Sequence, residues 1–266
     1  MSTHLLPERL SFLNPHILDD LARYGNSQDG GYVLPRSIAA NIDAVLSCGL
    51  STDWSLEKEL AAGNSERVIH VYDHTVSARS FRRSLKNAFW KFVVGRTSLA
   101  DLRRRYRTVT DYNEFFTGNH VHFRERIFNR QDHANDATLA TAFARLHAAS
   151  RILVKIDIEG DEYRVIPELA RFADRIDLVA IEFHNTEPFR EVFEAQIHTL
   201  LQHFAIVHLH GNNIAGAAVD GLPDALEITF VNRRFALSDR RRNRLPVTGL
   251  DFPNDPNRPE LAVVFL

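Results

Sequence analysis

Residues Leu153 to Tyr163 read "LVKIDIEGDEY", an apolar run that ends abruptly in acid. Leu153, Val154, Ile156 and Ile158 mark a β-strand, and a strand covered by helices on both faces is apolar on both sides. Asp157, Glu159, Asp161 and Glu162 then crowd around the single Gly160. Asp161 and Glu162 suit the first turn of a following helix, where negative charge meets the positive end of the helix dipole. The acids before Gly160 need another reason. Open α/β sheets supply one, because they bind ligands just outside the carboxyl ends of their strands.

Working outward, the chain alternates β-like runs with helical stretches, the pattern of βαβ units and a parallel sheet. Strands are expected at Ile42–Ser51, Arg67–Thr75, His120–Asn129, Arg151–Glu159, "IDLVAIEFHN", "FAIVHLHGNN", "ALEITFVNR" and "ELAVVFL". Seven to nine strands in one doubly wound sheet fit that count. A basic helical stretch over 76–117 is longer than an ordinary crossover and reads as an insertion or lid. Ten of the 32 basic residues fall between Arg79 and Arg107. By default this is a solvated helix face, and otherwise a surface for an acidic or lipid-linked acceptor. Trp54 and Trp90 read as packing residues and Cys48 as a small buried strand residue.

With 266 residues, 44% apolar and 25% charged, the chain suits one globular domain with embellishments. A formal charge of -2 gives no global field that would draw the whole protein to nucleic acid or membrane. One cysteine excludes an internal disulfide and a cysteine-built zinc cluster. The first residues lack the apolar core of a signal peptide and no run is long enough to span a bilayer, so the expected compartment is the cytoplasm. A homo-oligomer is left open.

Lining up the strand ends collects polar chemistry on one rim: Gly49 and Ser51, Asp73 and His74, Asp157 and Glu159, then Glu182, His184 and Asn185, then His208, His210, Asn212 and Asn213. The opposite ends carry Ile42, Ile152 and Ile176. Helix capping explains one or two acidic ends but not paired Glu/His and His/His. Asp73 follows Gly49 by 24 residues, the spacing at which an acid closing the second strand accepts hydrogen bonds from ribose hydroxyls. "SCGLSTDWS" has one glycine where a pyrophosphate loop needs three, which favours an adenosine ligand without a diphosphate over NAD.

The segments "DGGYVLP", "LSCGLSTDWSLE", "VYDHT", "LVKIDIEGDEY", "IEFHN", "HLHGNN", "LEITFV" and "DFPN" together resemble the FkbM-type S-adenosylmethionine-dependent methyltransferases. "KIDIEGDEY" is the most specific of them. The resemblance implies a single domain, 1–266, on a Rossmann-like, mostly parallel seven-stranded methyltransferase sheet with a reversed final strand. It also implies S-adenosyl-L-methionine as methyl donor and O-methylation of a hydroxyl on a sugar, glycan or related natural product. The residues it implies for the donor are Asp29, Gly31, Tyr32, Ser47, Gly49, Ser51, Asp53, Asp73, His74 and Glu159, with the "DGGYVLP" loop folding over it. Ser47 stands where many methyltransferases have an acid.

O-methyl transfer requires an aligned acceptor oxygen and a base. Asp157 and His184 are the base candidates, followed by Glu182, His208 and His210, with Asn185, Asn212 and Asn213 toward the acceptor. Asp157, Glu182 and His184 also suit a divalent cation such as magnesium or manganese. Two rival readings use the same rim: a metal-dependent glycan-modifying enzyme that does not methylate, and a degenerate nucleoside-binding member.

Overall fold

The computed structural model describes residues 2–266. Its central sheet has seven strands: β1 (Ala44–Cys48), β2 (Val68–Tyr72), β3 (His120–Phe123), β4 (Ile152–Ile156), β5 (Ile176–Phe183), β6 (Phe204–Gly211) and β7 (Leu226–Asn232). Their order is β3-β2-β1-β4-β5-β7-β6. Every pairing is parallel except those of β7, which runs antiparallel to both β5 and β6. The expected α/β, Rossmann-like, mostly parallel sheet with one reversed strand is therefore present.

The apolar runs form strands because both faces are covered. Leu46, Cys48, Val154, Ile156, Val179 and Ile181 join one core, while Val45, Leu153, Leu178 and Ala180 join the other. The main helices are α1 (Ser55–Gly63), α2 (Ala78–Val93), α3 (Leu99–Phe115), α4 (Leu139–Arg145), α5 (Glu162–Leu169) and α6 (Arg190–Leu201). The stretch expected to be helical over 76–117 is the hairpin of α2 and α3. Its root is an aromatic knot in which Trp54 meets Phe81, Tyr112 and Phe116 at 5.7–6.0 Å between ring centroids.

Two terminal segments depart from the one-sheet expectation. Leu261–Phe265 pairs in parallel with Ser2–Leu6 and antiparallel with Arg244–Leu245, making a separate three-stranded sheet. Strand propensity alone cannot say which sheet a run joins, and the N-terminal partner strand carried no period strong enough to be read. Tyr32–Pro35 also leaves the main sheet, pairing with Leu21–Tyr24 in a hairpin. The Thr229 hydroxyl of β7 anchors that hairpin by donating to the Val33 carbonyl at 2.7 Å.

After β1, the chain builds β2 and β3 on one side and then crosses back to place β4 on the other. The sheet order thus reverses between β1 and β4, where ligands of open α/β sheets bind. Hydrogen bonds run past the strand ends there: Gly49 N–H donates to the Tyr72 carbonyl and Asp157 N–H to the Cys48 carbonyl, both at 2.9 Å. Gly49 has φ +95°, and a β-carbon on it would run into the Asp157 carbonyl oxygen. Left-handed backbone and contact coincide, so only glycine fits. Gly49→Ala is expected to cost more than about 2 kcal/mol in chemical denaturation, whereas Gly118→Ala, with open space around it, costs less than half as much.

Candidate active site

The glycine turn is held by Asp73, the residue that follows β2. Its Oδ2 accepts from the backbone N–H groups of Leu50 (2.9 Å) and Ser51 (3.0 Å), and its Oδ1 from the N–H and hydroxyl of Thr75 (2.7 and 2.6 Å). Burial raises the proton affinity of this carboxyl, but these four donors outweigh it and hold the group below the usual carboxylate range. A cavity of about 290 Å³ opens beside the turn. Gly49–Ser51, Tyr72–Val76, Glu125–Ile127, Asp157–Glu159 and Asp161 line it. A groove near 920 Å³ is larger, but it lies on the outer surface between α1 and α3 and no β-strand end reaches it. The smaller cavity, at the switch point, is therefore the candidate site.

The decisive stretch folds around its charges. Lys155, buried within β4, donates to the Gly49 carbonyl at 3.0 Å and to Asp157 Oδ2 at 3.1 Å, so one ammonium spans the ends of β1 and β4. Burial opposes its charge, yet Asp157, Glu57 and Glu182 more than offset this and raise its proton affinity. Among the described residues no protein donor reaches Asp157 Oδ1. Glu159 and Gly160 both take left-handed backbone, turning the chain into α5. Glu162 then reaches back, accepting from the N–H groups of Gly160 (2.8 Å) and His184 (2.7 Å), while the Tyr163 hydroxyl donates to the His184 carbonyl at 2.7 Å. Glu162 thus stands in the first turn of α5, as expected, and also positions the end of β5.

His184 stands among carboxylates: Glu162 Oε1 is 3.3 Å from its Nδ1, and Glu159 and Glu182 lie 3.7 and 3.9 Å from its Nε2. Partial burial disfavours its charge, but Glu162 and Glu182 prevail and raise its proton affinity. Glu182 is itself raised, by burial first and by the charges of Asp157 and Glu227 next. Asp157, Glu182 and His184 each present one donor atom, all within 4.8 Å of one another, as do Asp29, Glu182 and Glu227. Glu227 comes from the start of β7, which the strand's reversal places on the same rim. Tyr32, only 2% exposed, leaves its hydroxyl without a partner; burial and then Asp157, Glu182 and Glu227 push that phenol well above its ordinary range.

Of the residues expected at the donor site, Gly49, Ser51, Asp73, His74 and Glu159 line the cavity, together with Asp157. The others do not. Ser47 is fully buried in β1 and donates to Glu57 Oε1 of α1 at 2.6 Å. Asp53 accepts from Ser55 N–H and from Asn26, tying the hairpin loop to the start of α1. Gly31 packs against the Asn26 carbonyl. Asp29 and Tyr32 belong to the Glu182–Glu227 group, so the "DGGYVLP" loop covers that part of the rim rather than the cavity.

Several catalytic expectations also change. His208 pairs with Asp251 (3.0 Å), and His210 is clamped between Glu227 (3.2 Å) and Glu260 (3.1 Å); both are buried and neither lines the cavity. Glu162 and Glu182 raise the proton affinity of His184, which suits its ring to donating a hydrogen bond more than to taking a proton. Asn213 spends its amide on the Asp255 and Arg258 backbone, and Asn212 donates to Glu182 Oε1 at 2.8 Å. Of the three asparagines only Asn185 is exposed. Sequence reasoning missed Lys155, Glu57, Glu162 and Glu227. A lysine inside a fully apolar strand was the available signal for the first.

No family model matches the chain, and no curated protein does. Among solved structures, it is similar to a fibrillarin/Nop5p complex (13% identity, 83% of this chain and 98% of that one, TM-score 0.36). It is also similar to the Methanococcus jannaschii fibrillarin pre-rRNA processing protein (12%, 73% and 68%, 0.38). A third is precorrin-6y C5,15-methyltransferase from Geobacter metallireducens (9%, 74% and 88%, 0.37). Overlaps this slight carry no argument about ligand or reaction.

His210 gives the site a pH signature. Burial would lower its proton affinity, but Glu227 and Glu260 raise it to about 10 from the ordinary 6.5. A raised imidazole contributes stability that is complete below about 6.5 and lost as pH climbs through about 10. Unfolding free energy should therefore fall between those values, and His210→Gln should flatten the fall. An unchanged slope in the variant would contradict the clamp.

Proposed function

We propose that the protein is an S-adenosylmethionine-dependent O-methyltransferase acting on a hydroxyl of a sugar, glycan or related natural product. The observation that carries this reading is the position of Asp157, which lines the switch-point cavity, faces the Glu182–His184 group and keeps one carboxylate oxygen free of protein donors. The order of the sheet, with its reversed strand, supports the same reading, as does the FkbM-like "KIDIEGDEY" run.

The cavity suits the adenosine end of the donor. Leu50, Val76, Ile127 and Ile158 offer apolar walls for a planar base, while Ser51, His74 and Glu159 offer polar groups at the mouth. Its 290 Å³ lies at the lower edge of the range for small-molecule sites. Asp73 acts chiefly by shaping the turn, because all four of its acceptor positions are filled; a ribose hydroxyl would displace Thr75. When bound, the donor supplies an electrophilic methyl on a sulfonium. Lys155 fixes the Asp157 carboxylate, whose free oxygen is placed to take the acceptor's proton. His184, positively charged, hydrogen-bonds the acceptor oxygen and aligns it with the cavity.

The three donor atoms of Asp157, Glu182 and His184 also fit a divalent cation, magnesium or manganese, which would make an acceptor hydroxyl more acidic. Binding it would expel the His184 proton, so affinity should rise with pH. This observation also keeps the rival alive, a metal-dependent glycan-modifying enzyme that does not methylate.

Calorimetry separates the two. Micromolar binding of S-adenosylhomocysteine by the full chain supports methyl transfer, whereas manganese binding without it supports the rival. Asp157→Asn should lower methyl transfer to a sugar-hydroxyl panel by about 10²–10⁴-fold while leaving S-adenosylhomocysteine affinity largely unchanged. Equal loss of both would make Asp157 a binding residue instead.

A further inference from the structure

The tip of the α2–α3 hairpin presents the opposite of what a solvated helix face requires. Every residue from Phe89 to Arg96 is exposed, and five of these eight are large and apolar: Phe89, Trp90, Phe92, Val93 and Val94. Trp90, expected to pack, is 58% exposed and Val94 63%. Water-soluble surfaces scatter such residues singly, and a contiguous run marks a contact site. The run is not slack chain. The Ser77–Ser80 capping box opens α2, Ser98 caps α3, and Arg105, held by Asp101 one turn before it on α3, bonds Ser84 of α2 across the pair.

Charge says what the tip meets. Between Arg79 and Arg107 stand ten basic residues and one acid, Asp101, a net of +9, so the remainder of the chain carries -11. Arg82, Lys86 and Arg103 rim a shallow groove of about 560 Å³ whose floor is Leu85, Phe89, Leu102 and Tyr106. Aromatic and aliphatic side chains at a tip, with cations set back along both helices, suit the boundary between acyl chains and anionic headgroups. A second copy docking hairpin to hairpin would bring like charge against like charge. Bases would stack on Phe89 and Trp90, but they leave Val93, Val94 and Leu99 without a use. Among the described residues no helix is long and apolar enough to cross a membrane.

We propose that this hairpin docks the protein on the surface of an anionic lipid bilayer, the apolar tip entering the interface and the arginines and lysines meeting the headgroups. Val76 lines the candidate cavity and Ala78 opens α2, so the docking element is rooted in the cavity wall. A helix of 16 residues sets the tip about 24 Å from that root.

Vesicle flotation with the full chain tests this, independently of any activity. Phosphatidylcholine vesicles containing phosphatidylglycerol should bind at least about tenfold better than phosphatidylcholine alone, and the preference should fade in high salt. Binding should shift Trp90 emission to the blue, against a constant signal from Trp54, already buried. Trp90→Glu/Val93→Glu and Arg82→Glu/Lys86→Glu alter exposed residues, so both should fold, as circular dichroism would verify, and each should cut vesicle binding about tenfold. The proposal is overturned by equal binding to both vesicles, by no binding at low salt, or by undiminished binding in the Trp90→Glu/Val93→Glu variant. It is also overturned if light scattering finds a dimer that this variant dissolves, or if a single-stranded oligonucleotide binds through Trp90 and displaces the vesicles.

Discussion

The site depends on one buried cation. Lys155 lies within a strand whose other residues, Ile152, Leu153, Val154 and Ile156, are all apolar, and it reaches both the Gly49 carbonyl just past β1 and the Asp157 carboxylate just past β4. A charge in such a place is costly unless it is paired and hydrogen-bonded. Here Asp157, Glu57 and Glu182 surround it, so the cation is kept and the acids can be crowded. Without it, only the backbone bond from Asp157 N–H to the Cys48 carbonyl would tie the Gly49 turn to Asp157 at the point where the sheet order reverses.

From that tether the rim divides into two parts that share Asp157. On one side lies a cavity with apolar walls; on the other lie carboxylates close enough to raise one another's proton affinity. His184, His210 and Lys155 each sit against these acids, which raise their proton affinities, so histidines that look catalytic in the sequence are engaged by carboxylates. What is left for chemistry is narrow: one free carboxylate oxygen beside a cavity, with an imidazole nearby.

Much of this was legible. Apolar runs of strand length marked six of the seven strands and apolar–polar alternation marked the edge strand β3, and the spacing of Gly49, Asp73 and Asp157 placed three elements of the cavity, because parallel strands carry their last residues to one edge. Glu227 escaped because only carboxyl ends were collected, whereas a reversed strand brings its first residues to that edge. His208, His210 and Asn213 were over-read, since a sequence shows polar residues at strand ends but not the Asp251, Glu260 and Asp255 segments that return to occupy them. Glu57 was hidden in a helix, its partnership with Ser47 set by how α1 packs. Trp90 shows the converse limit: as a large aromatic residue it reads as packing in the sequence, yet the hairpin carries it beyond the body of the protein.

The central claim is that the rim at the β1–β4 switch holds an adenosyl ligand beside Asp157. A crystal structure of the protein with S-adenosylhomocysteine tests it most directly. The account predicts density between the Gly49–Ser51 turn and Val76, with the thioether sulfur toward the free oxygen of Asp157. Ligand seated elsewhere on the molecule, with this cavity occupied only by water, would contradict it.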